Sequence, residues 1–199
     1  MCTYIHQALI LPLLLIAMLS NSSCIKQDTR CTNLMGNGRY CLQATTVIAP
    51  FEVQQKVEAT IKGHHETMVT EIEVNAEGMQ MIALTPFGHK LVHVRYNNDE
   101  AKALVSPDSR LDPTLVIAMI QLALWPADSV RKGLSAPLRL EESIGRRRYL
   151  DNDKLVLDVQ YLDEQYADVM TPANKFQLSF PSVDLKLDIE TLVEVEPVQ

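Results

Sequence analysis

The chain has 199 residues, a net charge of −7 and a hydrophobic content of 47%. This length suits one domain of ordinary size, and this composition excludes wholesale disorder. The acidic balance disfavours nucleic acid as a partner. The charges are unevenly spread, because residues 1–23 contain no Asp, Glu, Lys or Arg.

The amino-terminal segment contains an apolar run over residues 8–19. A membrane-spanning helix needs about 20 apolar residues, so this run instead has the length typical of a secretory signal. Small and polar residues follow, and then Cys24. This order resembles a bacterial lipoprotein signal. The resemblance implies that residues 1–23 are cleaved and that Cys24 is lipidated, anchoring the protein in the outer membrane facing the periplasm. An uncleaved anchor or an ordinary secretory signal is the alternative.

The remaining cysteines form an even pair. Cleavage would remove Cys2 and lipidation would use Cys24, which leaves Cys31 and Cys41. In an oxidising compartment this pair predicts a disulfide, and turn-forming residues lie between the two. Two free thiols are the alternative, and a zinc site is less favoured because no third ligand lies nearby. We predict a polar tether over residues 24–39 and a folded domain over 40–199.

Long stretches of the mature chain alternate with a period of two residues. Every second residue from Phe51 to Ile61 belongs to one face, which includes Val53, Gln55 and Val57. Similar alternation occurs in residues 68–74, 155–161 and 185–189, with turn-forming residues at 75–78, 86–88 and 151–153. This period is typical of strands with one buried face. It predicts about eight to ten antiparallel strands in a curved sheet, half-closed like an incomplete barrel.

One helical segment interrupts the strands. Asp112 is a good N-cap and Pro113 suits a first helical turn. Residues 114–125 are apolar nearly all round, and Gln121 is the one strongly polar side chain among them. Such a helix is enclosed, or it covers something apolar. A second short helix is predicted from Asp128 to Lys132. The fold class is therefore mainly β, with an apolar helical lid on the concave side of the sheet.

Familiar catalytic and metal-binding patterns are missing from the sequence. It contains no G-x-S-x-G elbow, P-loop or dinucleotide fingerprint. His64, His65, His89 and His93 are close in sequence, but strand geometry separates His89 from His93 by about 13 Å. We therefore expect no catalytic residues, no metal, no cofactor and no enzymatic activity.

Two clusters leave alternatives open. The basic residues Arg146, Arg147 and Arg148 indicate either a solvated strand edge or a contact with acidic lipid headgroups or a carrier protein. The apolar helix indicates either core packing or a lid over an acyl-binding cavity, for which methionines would provide an adaptable lining. The predicted lid and cavity residues are Leu115, Met119, Ile120, Leu122, Leu124, Trp125, Met79 and Met81.

Together these parts resemble the LolA/LolB fold, in which an incomplete barrel covered by helices holds lipoprotein acyl chains. The stretch Leu115–Pro126, followed by Arg147-Arg148-Tyr149-Leu150, is similar to an uncharacterised family of bacterial lipoproteins found in aryl polyene biosynthesis gene clusters. The resemblance implies a periplasm-facing carrier of acyl or polyene lipid, or of lipoprotein tails, with a periplasmic carrier protein as a further partner. The alternatives are a scaffold with a solid core that recruits periplasmic proteins and, less favoured, a lipid-modifying enzyme.

Overall fold

The computed structural model describes residues 29–34, 38–163 and 173–195. The predicted signal sequence, Cys2 and Cys24 lie outside the described residues. Twelve strands occur in the described ranges: β1 Cys31–Asn33, β2 Arg39–Cys41, β3 Phe51–Ile61, β4 His64–Asn75, β5 Gly78–Leu84, β6 Lys90–Tyr96, β7 Ala101–Val105, β8 Leu138–Ser143, β9 Arg146–Asp151, β10 Lys154–Tyr161, β11 Lys175–Phe180 and β12 Leu185–Val195. Two helices, α1 Pro113–Leu124 and α2 Ala127–Gly133, separate β7 from β8.

Ten of these strands form one antiparallel sheet in the order β7-β6-β5-β4-β3-β12-β11-β10-β9-β8. The chain builds one half as a meander from β3 to β7, crosses through the helices, and builds the other half from β8 to β12. The two halves join where β12 pairs with β3, with Leu185 opposite Ile61 and Ile189 opposite Val57. The edge strands β7 and β8 are not paired with each other in the described sheet. The predicted mainly-β fold and incomplete barrel are confirmed.

The alternation in the sequence sets which face of the sheet is buried. On β3, Phe51, Val53, Gln55 and Val57 are buried on the concave face, whereas Glu52 and Glu58 are exposed on the other. The register between β3 and β12 shifts after Thr191, and further shifts occur between β5 and β6 and between β9 and β10. Such irregularities bend strands and increase local twist. They help the sheet to curve around the helical segment.

The disulfide between Cys31 and Cys41 is confirmed. These residues face each other in the small β1–β2 hairpin, which forms its own two-stranded sheet. Leu34 and Tyr40 of this hairpin are fully buried. The folded part of the chain therefore begins earlier than the predicted boundary at residue 40, because hairpin residues within the predicted tether pack into the core.

Candidate functional site

Helix α1 begins where the sequence predicts. Asp112 caps it, accepting a hydrogen bond from the backbone N–H of Thr114 at 2.9 Å, and Pro113 occupies the first helical position. The other carboxylate oxygen of Asp112 accepts from the hydroxyl of Thr32 in the hairpin, at 2.6 Å. The N-terminus of the helix is therefore attached to the β1–β2 hairpin.

The buried Gln121 connects the middle of α1 to the segment after the hairpin. Its Oε1 accepts from the hydroxyl of Tyr40 at 3.1 Å and from the N–H of Gln43 at 2.8 Å. Its Nε2 donates to the carbonyl of Gln43 at 2.9 Å. Burial raises the pKa of Tyr40 well above its usual value, so this hydroxyl stays protonated as a donor. Because the hairpin covers one side of α1 and the sheet faces the other, the helix is apolar nearly all round.

The C-terminus of α1 is held by side chains from β9 and β10. Arg147 is 2% exposed, and its Nη1 donates to the carbonyl of Trp125 at 2.7 Å and, at 3.3 and 3.4 Å, to those of Ala123 and Leu122. The hydroxyls of Tyr149 and Tyr161 donate to the carbonyls of Leu122 and Ala123. The last carbonyls of a helix have no partner within it, so these donors supply the missing hydrogen bonds.

This arrangement corrects the expectation for the basic cluster. β9 lies between β8 and β10, so it is not an edge strand. Arg147 points into the protein, where its Nε also pairs with Glu142 at 3.0 Å. Arg146 is exposed and pairs with Asp158 at 2.6 Å. The strand period of two explains the difference, because successive arginines face opposite sides of the sheet.

A cavity of about 290 Å³ lies between the concave face of the sheet and α1. This volume is close to the lower limit of small-molecule sites, which is about 300 Å³. Strands β3 to β6, β11 and β12 contribute to its wall. Apart from Gln55 and Thr70, the residues that line it are apolar: Val57, Met68, Ile72, Met81, Ala83, Val92, Leu111, Val116, Met119, Ile120, Ala123, Leu124, Phe176, Leu178, Leu185, Leu187 and Ile189.

Half of the predicted lid and cavity residues are brought together in this lining, namely Met81, Met119, Ile120 and Leu124. The others lie elsewhere. Leu122 and Trp125 are fully buried and are not part of the lining, and the indole N–H of Trp125 donates to the carbonyl of Ala44 at 3.2 Å. Leu115 packs against the core, and Met79 is buried beside a separate polar groove. A helix presents only part of its circumference to any one surface, and the remainder of α1 faces other parts of the core.

The two polar lining residues were not predicted as site residues. Gln55 is 2% exposed and Thr70 is 6% exposed. The sequence does carry a signal for Gln55, because this residue occupies an inward position in the alternation of β3. Thr70 is its register partner on β4.

The described part of the chain offers no clustered metal ligands. It contains no group of three or more His, Cys, Asp or Glu side chains that could hold a metal ion. None of the described helices has the length and apolar character needed to cross a membrane. His93 lies on β6, and burial, with Lys90 and Arg95 nearby, lowers its pKa.

Comparison with solved structures finds distant likenesses, among them the following two. A DUF1329 family protein from Desulfovibrio piger is 10% identical, covering 77% of this chain and 88% of that one, with a TM-score of 0.46. The LolA superfamily protein NE2245 from Nitrosomonas europaea is 8% identical, covering 78% and 91%, with a TM-score of 0.40. Both TM-scores are below 0.5, so neither likeness bears on what this chain does.

Comparison at the level of sequence gives a family. No curated protein matches the chain. Residues 52–193, which include both helices and β4 to β11 in full, match the family described as "Protein of unknown function (DUF3261)". Because this match covers most of the sequence, the chain belongs to the DUF3261 family.

Proposed function

We propose that this protein is a periplasm-facing lipoprotein that holds the acyl or polyene chain of a lipid or lipoprotein in its cavity. It would carry that chain to the outer membrane or insert it there. The observation that carries the proposal is the lining of the cavity, which is apolar except for Gln55 and Thr70 and contains no charged side chain. An ion would lose its hydration there without gaining a counter-charge, whereas a hydrocarbon chain loses nothing by leaving water.

The lining also suits a flexible ligand. Met68, Met81 and Met119 all contribute to it. Methionine is unbranched and polarizable, so it adapts to ligands of irregular shape. Each methylene group transferred from water would contribute about 0.8 kcal/mol, and leaving a membrane would cost a similar amount. Exchange between membrane and protein would therefore be nearly balanced and reversible, and the proposal requires no covalent chemistry.

The location is part of the proposal. The Cys31–Cys41 disulfide favours an oxidising compartment such as the periplasm. A lipid on Cys24 would anchor the domain, and the segment between Cys24 and the hairpin would act as a short tether. Metabolic labelling with an alkyne-bearing fatty acid tests this anchor, because labelling should disappear in Cys24→Ala and persist in Cys2→Ala.

The main test is equilibrium binding of a fluorescent fatty acid to the protein lacking residues 1–24. This protein retains all the described elements, which begin after residue 28. We expect saturable binding that unlabelled fatty acids compete away. Ala83→Leu places a larger side chain in the cavity and should weaken binding at least about tenfold. Ala76→Leu, in the exposed β4–β5 turn, is the matched control and should leave binding unchanged.

The same variant separates a carrier from a scaffold with a solid core. In a filled core, Ala83→Leu would cost about 1–3 kcal/mol of folding free energy through overpacking. In an open cavity the new side chain has room, so the free energy of unfolding should stay the same or rise. Absence of saturable binding, together with a destabilised Ala83→Leu, would contradict the carrier proposal and favour the scaffold.

A further inference from the structure

A row of polar side chains crosses the centre of the concave face. Gln55 lies on β3, and its register partners are Thr70 on β4 and Thr191 on β12. Gln55 and Thr70 both line the cavity, where every other contributing side chain is apolar. The row occupies three neighbouring strands at the junction of the two meanders. Any chain that fills the cavity therefore passes beside an amide.

The hydrogen bonds of Gln55 are incomplete. Its Nε2 donates to Oγ1 of Thr191 at 3.4 Å, and the hydroxyl of Thr70 donates to its backbone carbonyl at 3.5 Å. Both distances are long for hydrogen bonds. The bond to Thr191 is the one side-chain hydrogen bond that the Gln55 amide makes within the described residues, although an amide offers two donors and an acceptor with two lone pairs.

A partly unsatisfied amide in this position needs an explanation. Buried polar groups are nearly always hydrogen-bonded, and leaving one without a partner destabilises the fold. A leucine would fit the alternation of β3 and would complete the apolar lining. The Gln55 amide therefore has hydrogen-bonding capacity left for a polar group that enters the cavity.

We propose that Gln55 binds a hydroxyl group on the buried part of the hydrocarbon chain, with Thr70 as a second polar contact. This inference rests on the proposed function and narrows its ligand class to hydroxylated chains. A hydroxyl matches the amide because it donates to Oε1 and accepts from Nε2. A carboxylate or an ammonium group does not match, because the lining holds no counter-charge.

The consequence is discrimination between chains of equal length. A plain chain fills the same apolar space but leaves the amide without its partner. A site built around a buried hydrogen bond selects against ligands that lack the matching group. One hydrogen bond corresponds to about a 2- to 12-fold preference in affinity.

The test compares octadecanoic acid with octadecanoic acids hydroxylated near the middle and at the far end of the chain. Each acid displaces a fluorescent fatty acid from the protein lacking residues 1–24. We expect at least one hydroxylated acid to bind about 2- to 12-fold more tightly than the plain acid. In Gln55→Leu this preference should vanish, while the plain acid binds at least as tightly as before.

The matched control is Gln54→Leu, the same substitution one residue away on the outer face, where Gln54 donates to Glu71 at 3.2 Å. It should keep the preference. If Gln55→Leu does not fold, Gln55→Met replaces it, because methionine preserves the length of the side chain. Binding of all three acids with no preference, or a preference that survives in the Gln55 variant, would overturn this inference alone. Failure of every acid to bind would overturn the proposed function as well.

Discussion

The buried Arg147 provides the sharpest test of how the helix is held over the cavity. Substitution by methionine keeps much of its volume but removes every donor. The carbonyl of Trp125, which accepts from Nη1 at 2.7 Å, would lose this hydrogen bond. The carbonyls of Leu122 and Ala123 would keep theirs, because Tyr149 and Tyr161 also donate to them.

The magnitude follows from these contacts. A hydrogen bond from a charged donor contributes about 1.5–3 kcal/mol. Glu142, the ion-pair partner, has a side chain that is 35% exposed and also contacts Arg131 at 3.3 Å, so its charge stays solvated when Arg147 is removed. Removing the guanidinium also relieves the cost of burying it, which offsets part of the loss. We therefore expect Arg147→Met to lower the free energy of unfolding by about 2 kcal/mol.

Urea unfolding under non-reducing conditions measures this difference. Arg148→Met is the matched control, since that side chain is 42% exposed and its contact with Glu141 is 3.5 Å long. Such surface pairs contribute about 0–1 kcal/mol. Because Ala123 and Leu124 line the cavity, Arg147→Met should also weaken fatty acid binding. Equal stabilities of the two variants would refute the role assigned to Arg147.

Four further predictions follow from other contacts. Cys31→Ser should lower the free energy of unfolding by about 2–3 kcal/mol, because the disulfide closes a short loop, and unchanged urea midpoints would contradict this. Gln121→Leu should lower the free energy of unfolding by about 3 kcal/mol in the same assay. The hydroxyl of Tyr40 and the N–H and carbonyl of Gln43 would each lose their hydrogen-bond partner. Because the pKa of His93 is lowered in the folded state, the wild type should lose stability as the pH falls below about 6.5. In the His93→Thr variant this loss of stability should be absent. If the free energy of unfolding of the variant fell with pH just as that of the wild type does, the role assigned to His93 would be wrong. Phe87 is 89% exposed in the β5–β6 turn and lies outside the cavity lining, so Phe87→Ser should slow transfer of a fluorescent fatty acid from vesicles without changing its equilibrium affinity.

Much of the fold could be predicted from local patterns. The alternation in residues 51–61 gave the buried face of β3, and Asp112 with Pro113 gave the start of α1. Both signals depend on neighbouring residues and on general steric rules. The pairing of β3 with β12 could not be predicted in this way. It joins Ile61 to Leu185 across the whole domain, and nothing in either strand alone selects the other.

The site shows the same limit at the level of side chains. Apolar character predicted that α1 covers or fills apolar space, but it could not distinguish Met119, in the lining, from Leu122, in the solid core. That distinction depends on the rotation of the helix against the sheet. The burial of Arg147 could not be predicted for a related reason, because three consecutive arginines suggest a charged surface and only the position of β9 inside the sheet shows that the middle one faces the core.

The contacts of α1 bear on how a ligand could reach the cavity. The helix is attached through Asp112 at its start, through Gln121 in its middle and by Arg147 at its end. Lifting it away from the sheet would break the hydrogen bonds that Arg147, Tyr149 and Tyr161 donate to its C-terminus, in addition to the core packing. For the proposed ligand we therefore expect entry between strand ends, where Leu185 and Val92 of the lining lie close to the β3–β4 and β5–β6 turns. In this geometry α1 covers the cavity and does not need to move when a chain enters. The exposed Phe87 lies in the β5–β6 turn, at the same end of the sheet at which we expect the chain to pass.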